Sequence, residues 1–168
     1  KQRLTGFKTN YEFQKTLVYP FLQNLEANLT KGIDILGLNN IDTSKPYLYI
    51  SNHRDIILDS AFLCAKLIEQ GMDTVEIAIG DNLRIFPWIE RLVRVNKSFV
   101  VKRGLSPRQN LESSKRLSSY IAYTINEKQQ SIWIAQREGR AKDANDRTHE
   151  SLLKMLNMSG GSDFATNL

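Results

Sequence analysis

The sequence predicts an α/β protein: a single domain with a mostly parallel central sheet flanked by helices, preceded by an N-terminal helical segment. Three observations carry this expectation. Short β-rich apolar runs alternate with stretches of helical period, the pattern of strands joined by helical crossovers. The chain has 168 residues, the length of about one domain. No repeat, low-complexity tract or shift of composition marks a second unit, and 41% hydrophobic with 24% charged residues excludes disorder and collagen-like repeats.

The elements follow in order. From Phe13 to Leu29, the residues Leu17, Phe21, Leu25 and Leu29 recur four apart on one helical face, and Pro20 is expected to break or kink that helix. Residues Ile33 to Leu38 read as a short strand. After the turn-like Asp42-Thr43-Ser44-Lys45-Pro46, the run Tyr47 to Ser51 reads as a buried strand and Ile56 to Ile68 as the helix after it, ended by Gly71. A second strand, Val75 to Ile79, leads through Gly80-Asp81-Asn82 to a helical stretch around Trp88 to Val93, then to a third strand, Ser98 to Val101. Ser106-Pro107 supplies an N-cap and a first-turn proline for a helix over Pro107 to Glu127. The strand Ser131 to Ala135 comes next. A charge-dense loop from Gln136 to Asn145 then runs into a last helix carrying Leu152, Leu153, Met155 and Leu156, and Ser159-Gly160-Gly161-Ser162 reads as a turn. The domain therefore divides into a helical segment over about 10–30 and a core over about 33–157.

Composition narrows the function classes. Apolar runs such as Ile56-Ile57-Leu58 and Ala61 to Ala65 fall well short of the ~18 residues that cross a bilayer. Cys64 is the only cysteine, which rules out an internal disulfide and agrees with a reducing compartment. No apolar secretory stretch follows Lys1-Gln2-Arg3-Leu4. The net charge of +5 fits an anionic partner without choosing between phosphate ester, lipid surface and nucleic acid. His53 and His149 have no ligand-like spacing, so no metal is expected.

Three polar clusters directly follow strands, where ligands of α/β sheets bind. In Ser51-Asn52-His53-Arg54-Asp55-Ile56-Ile57-Leu58-Asp59, a histidine with carboxylates downstream suits general-base chemistry, if one carboxylate holds the ring in the right tautomer. A histidine that only caps the helix is the equal alternative. In Asn96 to Gly104 a strand ends in Lys102 and Arg103; a guanidinium there can bind phosphate bidentately, and a solvated strand end is the plainer reading. In Gln136-Arg137-Glu138-Gly139-Arg140-Ala141-Lys142-Asp143, cations around a glycine suit an anion, as would an ordinary exposed turn. Gly80-Asp81-Asn82 lacks the glycine spacing of a P-loop or dinucleotide fingerprint, which sets nucleotide binding aside.

Taken together and in this order, the clusters resemble the glycerolipid acyltransferase superfamily, which includes glycerol-3-phosphate and 1-acylglycerol-3-phosphate acyltransferases. Asn52-His53 with a run ending in Asp is similar to the family's first motif, Phe99-Val100-Val101-Lys102-Arg103 to its second, and Ile132 to Ala135 running into Glu138-Gly139-Arg140 to its third. The resemblance covers roughly Tyr47 to Leu156. It implies an acyltransferase of phospholipid biosynthesis that moves a fatty acyl group from a thioester donor to the hydroxyl of a glycerol-phosphate or lysophospholipid acceptor. The catalytic base would be His53, oriented by Asp59 or, as the alternate, Asp55. The family leaves four residues between His and Asp, whereas Asp59 has five and Asp55 one. The acceptor phosphate would be held by Arg103, Glu138, Gly139 and Arg140. Arg140 comes one residue earlier than the family's arginine, which brings in Arg137 and Lys142 as alternates. No cofactor is implied beyond acyl-CoA or acyl carrier protein as co-substrate. The family's fourth motif, a later strand with a Val-Pro pair, does not occur, so the chain is expected to stop short of it.

Lipid substrates imply a cytoplasmic protein in peripheral contact with the inner face of the cell membrane. The segment Phe13 to Leu29 is the first candidate surface, with packing against the sheet preferred, and Ile85-Phe86-Pro87-Trp88-Ile89, a proline between aromatics, is equally a surface anchor or a core corner. The competing reading is a catalytically degenerate module that binds anionic lipid or nucleic acid. Nucleic acid is not expected, because the cations lack aromatic interleaving and no basic recognition helix is present.

Overall fold

A computed structural model of the chain describes residues 6–83, 87–143 and 147–160. Ile85-Phe86, Asn145 and Gly161-Ser162, which the sequence assigns to a corner, a loop end and a terminal turn, lie outside the described residues.

Four strands, β1 (Leu48–Ser51), β2 (Glu76–Gly80), β3 (Ser98–Val101) and β4 (Ile132–Ala135), form one sheet of order β1-β4-β2-β3, parallel at every pairing among the described residues. Each parallel return requires a crossover. The helices α3 (Leu58–Glu69), α4 (Pro87–Val95) and α5 (Pro107–Asn126) supply them, and α6 (Glu150–Leu156) follows β4. One core layer joins Cys64, Leu67 and Met72 to Val75, Ile77 and Trp133. The other joins Ile121, Met155 and Leu156 to Ile132 and Ile134. Neighbouring strand residues divide between the two layers because strand side chains alternate between faces. The parallel arrangement brings the carboxyl ends of all four strands to one edge, where Ser51 pairs with Ala135 and Gly80 with Val101.

Local chemistry sets the helix boundaries. At α5, Ser106 Oγ accepts from Gln109 N while Gln109 Oε1 accepts from Ser106 N, with Pro107 in the first turn. Helix α3 starts at Leu58, two residues after the expected Ile56, because Asp55 Oδ1 takes the backbone N–H groups of Ile57 and Leu58 at 2.9 Å each.

Several expectations are corrected. The strand over Tyr47 to Ser51 is not buried: β1 is an edge strand, half-buried at Leu48 and Tyr49 and exposed at Ile50 and Ser51. Ile33 to Leu38 is no strand: the chain runs irregularly into a 3₁₀ turn at Leu38–Asn40. The run finds no partner strand among the described residues. The Ile33 N–H goes instead to Glu26 Oε1, Leu36 is 94% exposed, and Gly37 takes a left-handed φ of 82°. Pro20 does not end its helix, and the distortion expected of it falls in the turn just before it. The segment runs as α1 (Asn10–Phe13), a π turn (Gln14–Val18) and α2 (Tyr19–Leu29), with Pro20 in the first turn of α2. Proline lacks an N–H for the regular ladder, and the wider π turn just before it absorbs that loss. Rather than lying on the sheet, α2 packs on α3. Leu22 is buried, and Lys66 Nζ from α3 lies 2.9 Å from Glu26 Oε1 and 3.2 Å from Glu69 Oε2.

Candidate active site

His53 follows β1, and its Nδ1 lies 3.0 Å from Asp59 Oδ2 in the first turn of α3. An ionised carboxylate can only accept, so Nδ1 donates and the Nε2 lone pair is left for a substrate proton. The same Asp59 oxygen accepts the backbone N–H of Arg54 at 2.6 Å and of Asp55 at 3.0 Å. The extra residue of this motif is therefore taken up in a loop wound around one carboxylate oxygen. The ring packs edge-on against Trp133 with centroids 5.5 Å apart, and Trp133 Nε1 donates to Ser51 Oγ at 2.9 Å. Asp55 has a different task. Backbone N–H groups of Leu58 and then Ile57 hold its carboxyl below the usual carboxylate range, with smaller help from the charge of Arg140.

Arg103 leaves the carboxyl end of β3 and lies over the end of β2. A side chain carbon built at Gly80 would stand 2.8 Å from its Nε, and the Arg103 N–H donates to Asp81 Oδ2 at 3.3 Å. Its Nε also lies 3.8 Å from Glu138 Oε1 in the loop after β4. That loop returns to the histidine, where Ala141 N donates to His53 O at 2.6 Å. Gly139 has φ +73°, a left-handed conformation that a glycine adopts without the cost borne by other residues.

The predicted residues thus gather unequally. His53, Asp59, Asp55 and Arg140 surround the first motif, and Arg103 meets Glu138. The Arg137 guanidinium pairs with Asp143 at 2.8 Å within its own loop, and Lys142 is exposed. With β4 and β2 between them, β1 and β3 lie three strand spacings apart, about 14 Å at ~4.8 Å each. The lean of Arg103 across β2 shortens that span. Ser51 and Trp133 fall inside the first and third motifs, but nothing local marks their contact, and Gly80 stands outside the motifs with only its place at a strand end as a hint. Among the described residues no cluster of His, Cys, Asp or Glu is placed to hold a metal ion.

A parallel α/β domain with a histidine–carboxylate pair at one edge strand and an arginine leaning in from the other has the parts that general-base group transfer uses. A family model described as Acyltransferase matches residues 32–161, most of the chain. The protein belongs to that family, within the glycerolipid acyltransferase superfamily that its motif order resembles. Comparison with curated proteins gives no match.

Proposed function

We propose that the protein transfers a fatty acyl group from a thioester, acyl-CoA or acyl carrier protein, to a hydroxyl of a glycerol-phosphate or lysophospholipid acceptor. The observation that carries this reading is the His53–Asp59 contact at 3.0 Å, which leaves Nε2 as the base. His53 Nε2 takes the hydroxyl proton as the acceptor oxygen attacks the thioester carbonyl. The tetrahedral adduct collapses with loss of the thiolate, and the imidazolium returns the proton to sulfur. Asp59 stabilises the imidazolium between the two transfers. An acyl-cysteine is disfavoured: Cys64 is buried and its thiol is pushed up to about 11, chiefly by that burial.

The test is free-thiol release from an acyl-CoA with glycerol 3-phosphate, lysophosphatidate or plain glycerol as acceptor. Release that depends on a phosphorylated acceptor is expected; no acceptor-dependent release would overturn the reading. Arg103→Ala should raise the acceptor KM roughly 10- to 100-fold with kcat little changed, the loss of a charge-assisted contact of ~1.5–3 kcal/mol. An unchanged KM would return Arg103 to a solvated strand end.

A lipid acceptor also needs an apolar approach. Ile56, Ile57 and Leu58, directly after the His53 loop, are 43%, 66% and 37% exposed, a consecutive run that a soluble surface ordinarily avoids. Trp88, at the start of α4, is 64% exposed, with Arg91 and Arg94 exposed on the same helix. This supports an anionic bilayer as the docking partner; no helix among the described residues is long and apolar enough to cross one. Vesicles containing phosphatidylglycerol should sediment the protein, and the double change Ile57→Ser, Trp88→Ser should leave more of it in the supernatant. Equal sedimentation of both proteins would reject this surface.

A further inference from the structure

We propose that Gly80 is a positioning residue for Arg103, whose missing side chain makes room for the guanidinium to lie across the end of β2 and reach inward to the site. A carbon at the Gly80 Cβ position would stand 2.8 Å from Arg103 Nε, 2.9 Å from its Cζ and 2.5 Å from Asn82 Oδ1. All three distances are closer than such atoms approach. The need is for space and not for conformation: Gly80 is absent from the glycines with positive φ, whereas Gly104 and Gly139 have φ of 63° and 73° and nothing within 4 Å of the same position. The obstructing atoms also belong to the ends of flexible side chains. Alanine at this position is therefore accommodated by moving Arg103 and Asn82, while the strand itself stays in place.

The direction of that movement gives the effect. Strand β2 lies between β3, which carries Arg103, and β4, whose following loop carries Glu138. Lying over Gly80, the guanidinium is carried from the edge strand toward Glu138 and the histidine side of the site. A methyl group in its place lifts the guanidinium away from its anion, and displacements on the order of 1 Å at such sites cost up to about 100-fold. The residue acts through Arg103 and touches no reacting atom.

The inference rests on the phosphate-binding reading of Arg103 and is tested with it in a double-mutant cycle. Gly80→Ala should raise the acceptor KM about tenfold, leave kcat within a few-fold, and leave the thermal unfolding midpoint close to that of the parent protein. In an Arg103→Ala background the same change should have no further effect, because nothing remains to be displaced. Isothermal titration with glycerol 3-phosphate should follow the KM pattern independently of turnover. A parental KM in Gly80→Ala, or an equal rise in the presence and absence of Arg103, would overturn the inference while leaving the function standing. An Arg103→Ala protein with parental KM and parental affinity would overturn both the inference and the phosphate-binding reading of Arg103.

Discussion

His53→Ala is expected to lower kcat for acyl transfer by roughly 10²–10⁴-fold, the range a positioned general base contributes. The effect should be one of chemistry alone. The main-chain ties of His53, its N–H to Asn52 Oδ1 at 2.9 Å and its carbonyl from Ala141 N at 2.6 Å, do not involve the ring and survive the substitution. The loop that carries Glu138 therefore keeps its attachment, and the acceptor KM, governed by Arg103, should change little. Thiol release measured against acceptor concentration separates the two parameters, and equal kcat in both proteins would remove His53 from the mechanism.

Asp59→Asn is expected to fall in the upper part of that range, about 10³–10⁴-fold, because an amide can present the wrong partner to Nδ1 and cannot stabilise the imidazolium by charge. The same oxygen serves His53, Arg54 N and Asp55 N, so the substitution should also lower stability by about 1–3 kcal/mol, read from urea unfolding. Asp55→Ala is the informative partner. It removes the carboxylate that holds Ile57 N and Leu58 N, at the usual cost of a lost cap, about 1 kcal/mol, while the His53–Asp59 contact remains. Its rate should stay within about tenfold of the parent. A larger rate loss for Asp55→Ala than for Asp59→Asn would transfer the orienting role to Asp55.

Much of the sheet is legible in the residues themselves, for a local reason. A parallel strand needs a short apolar β-branched run, and both the half-exposed edge strand Ser98 to Val101 and the buried Ser131 to Ala135 have one. The capping residues of α5 act within one turn and can be read as directly. Ile33 to Leu38 misleads because a short apolar run records only the capacity to pair, and pairing needs a neighbour that the local sequence does not contain. The start of α3 departs from its pattern for a comparable reason: the apolar run begins at Ile56, but the Asp55 carboxylate claims the N–H groups of the next two residues.

The site divides along the same line. Sequence by itself determined the α/β alternation, the residues at the ends of β1, β3 and β4, and the order of motifs from which the family could be recognised, since each depends on neighbours within a few positions. Only the tertiary structure decided that Asp59 and not Asp55 meets His53, because the spacing of one or five intervening residues is settled by how the intervening loop winds around a carboxylate oxygen. It alone brought Arg103 over Gly80 and beside Glu138. Strand order β1-β4-β2-β3 makes neighbours of residues separated in the chain by whole helices, and that order is chosen by the burial of both sheet faces rather than by any local signal.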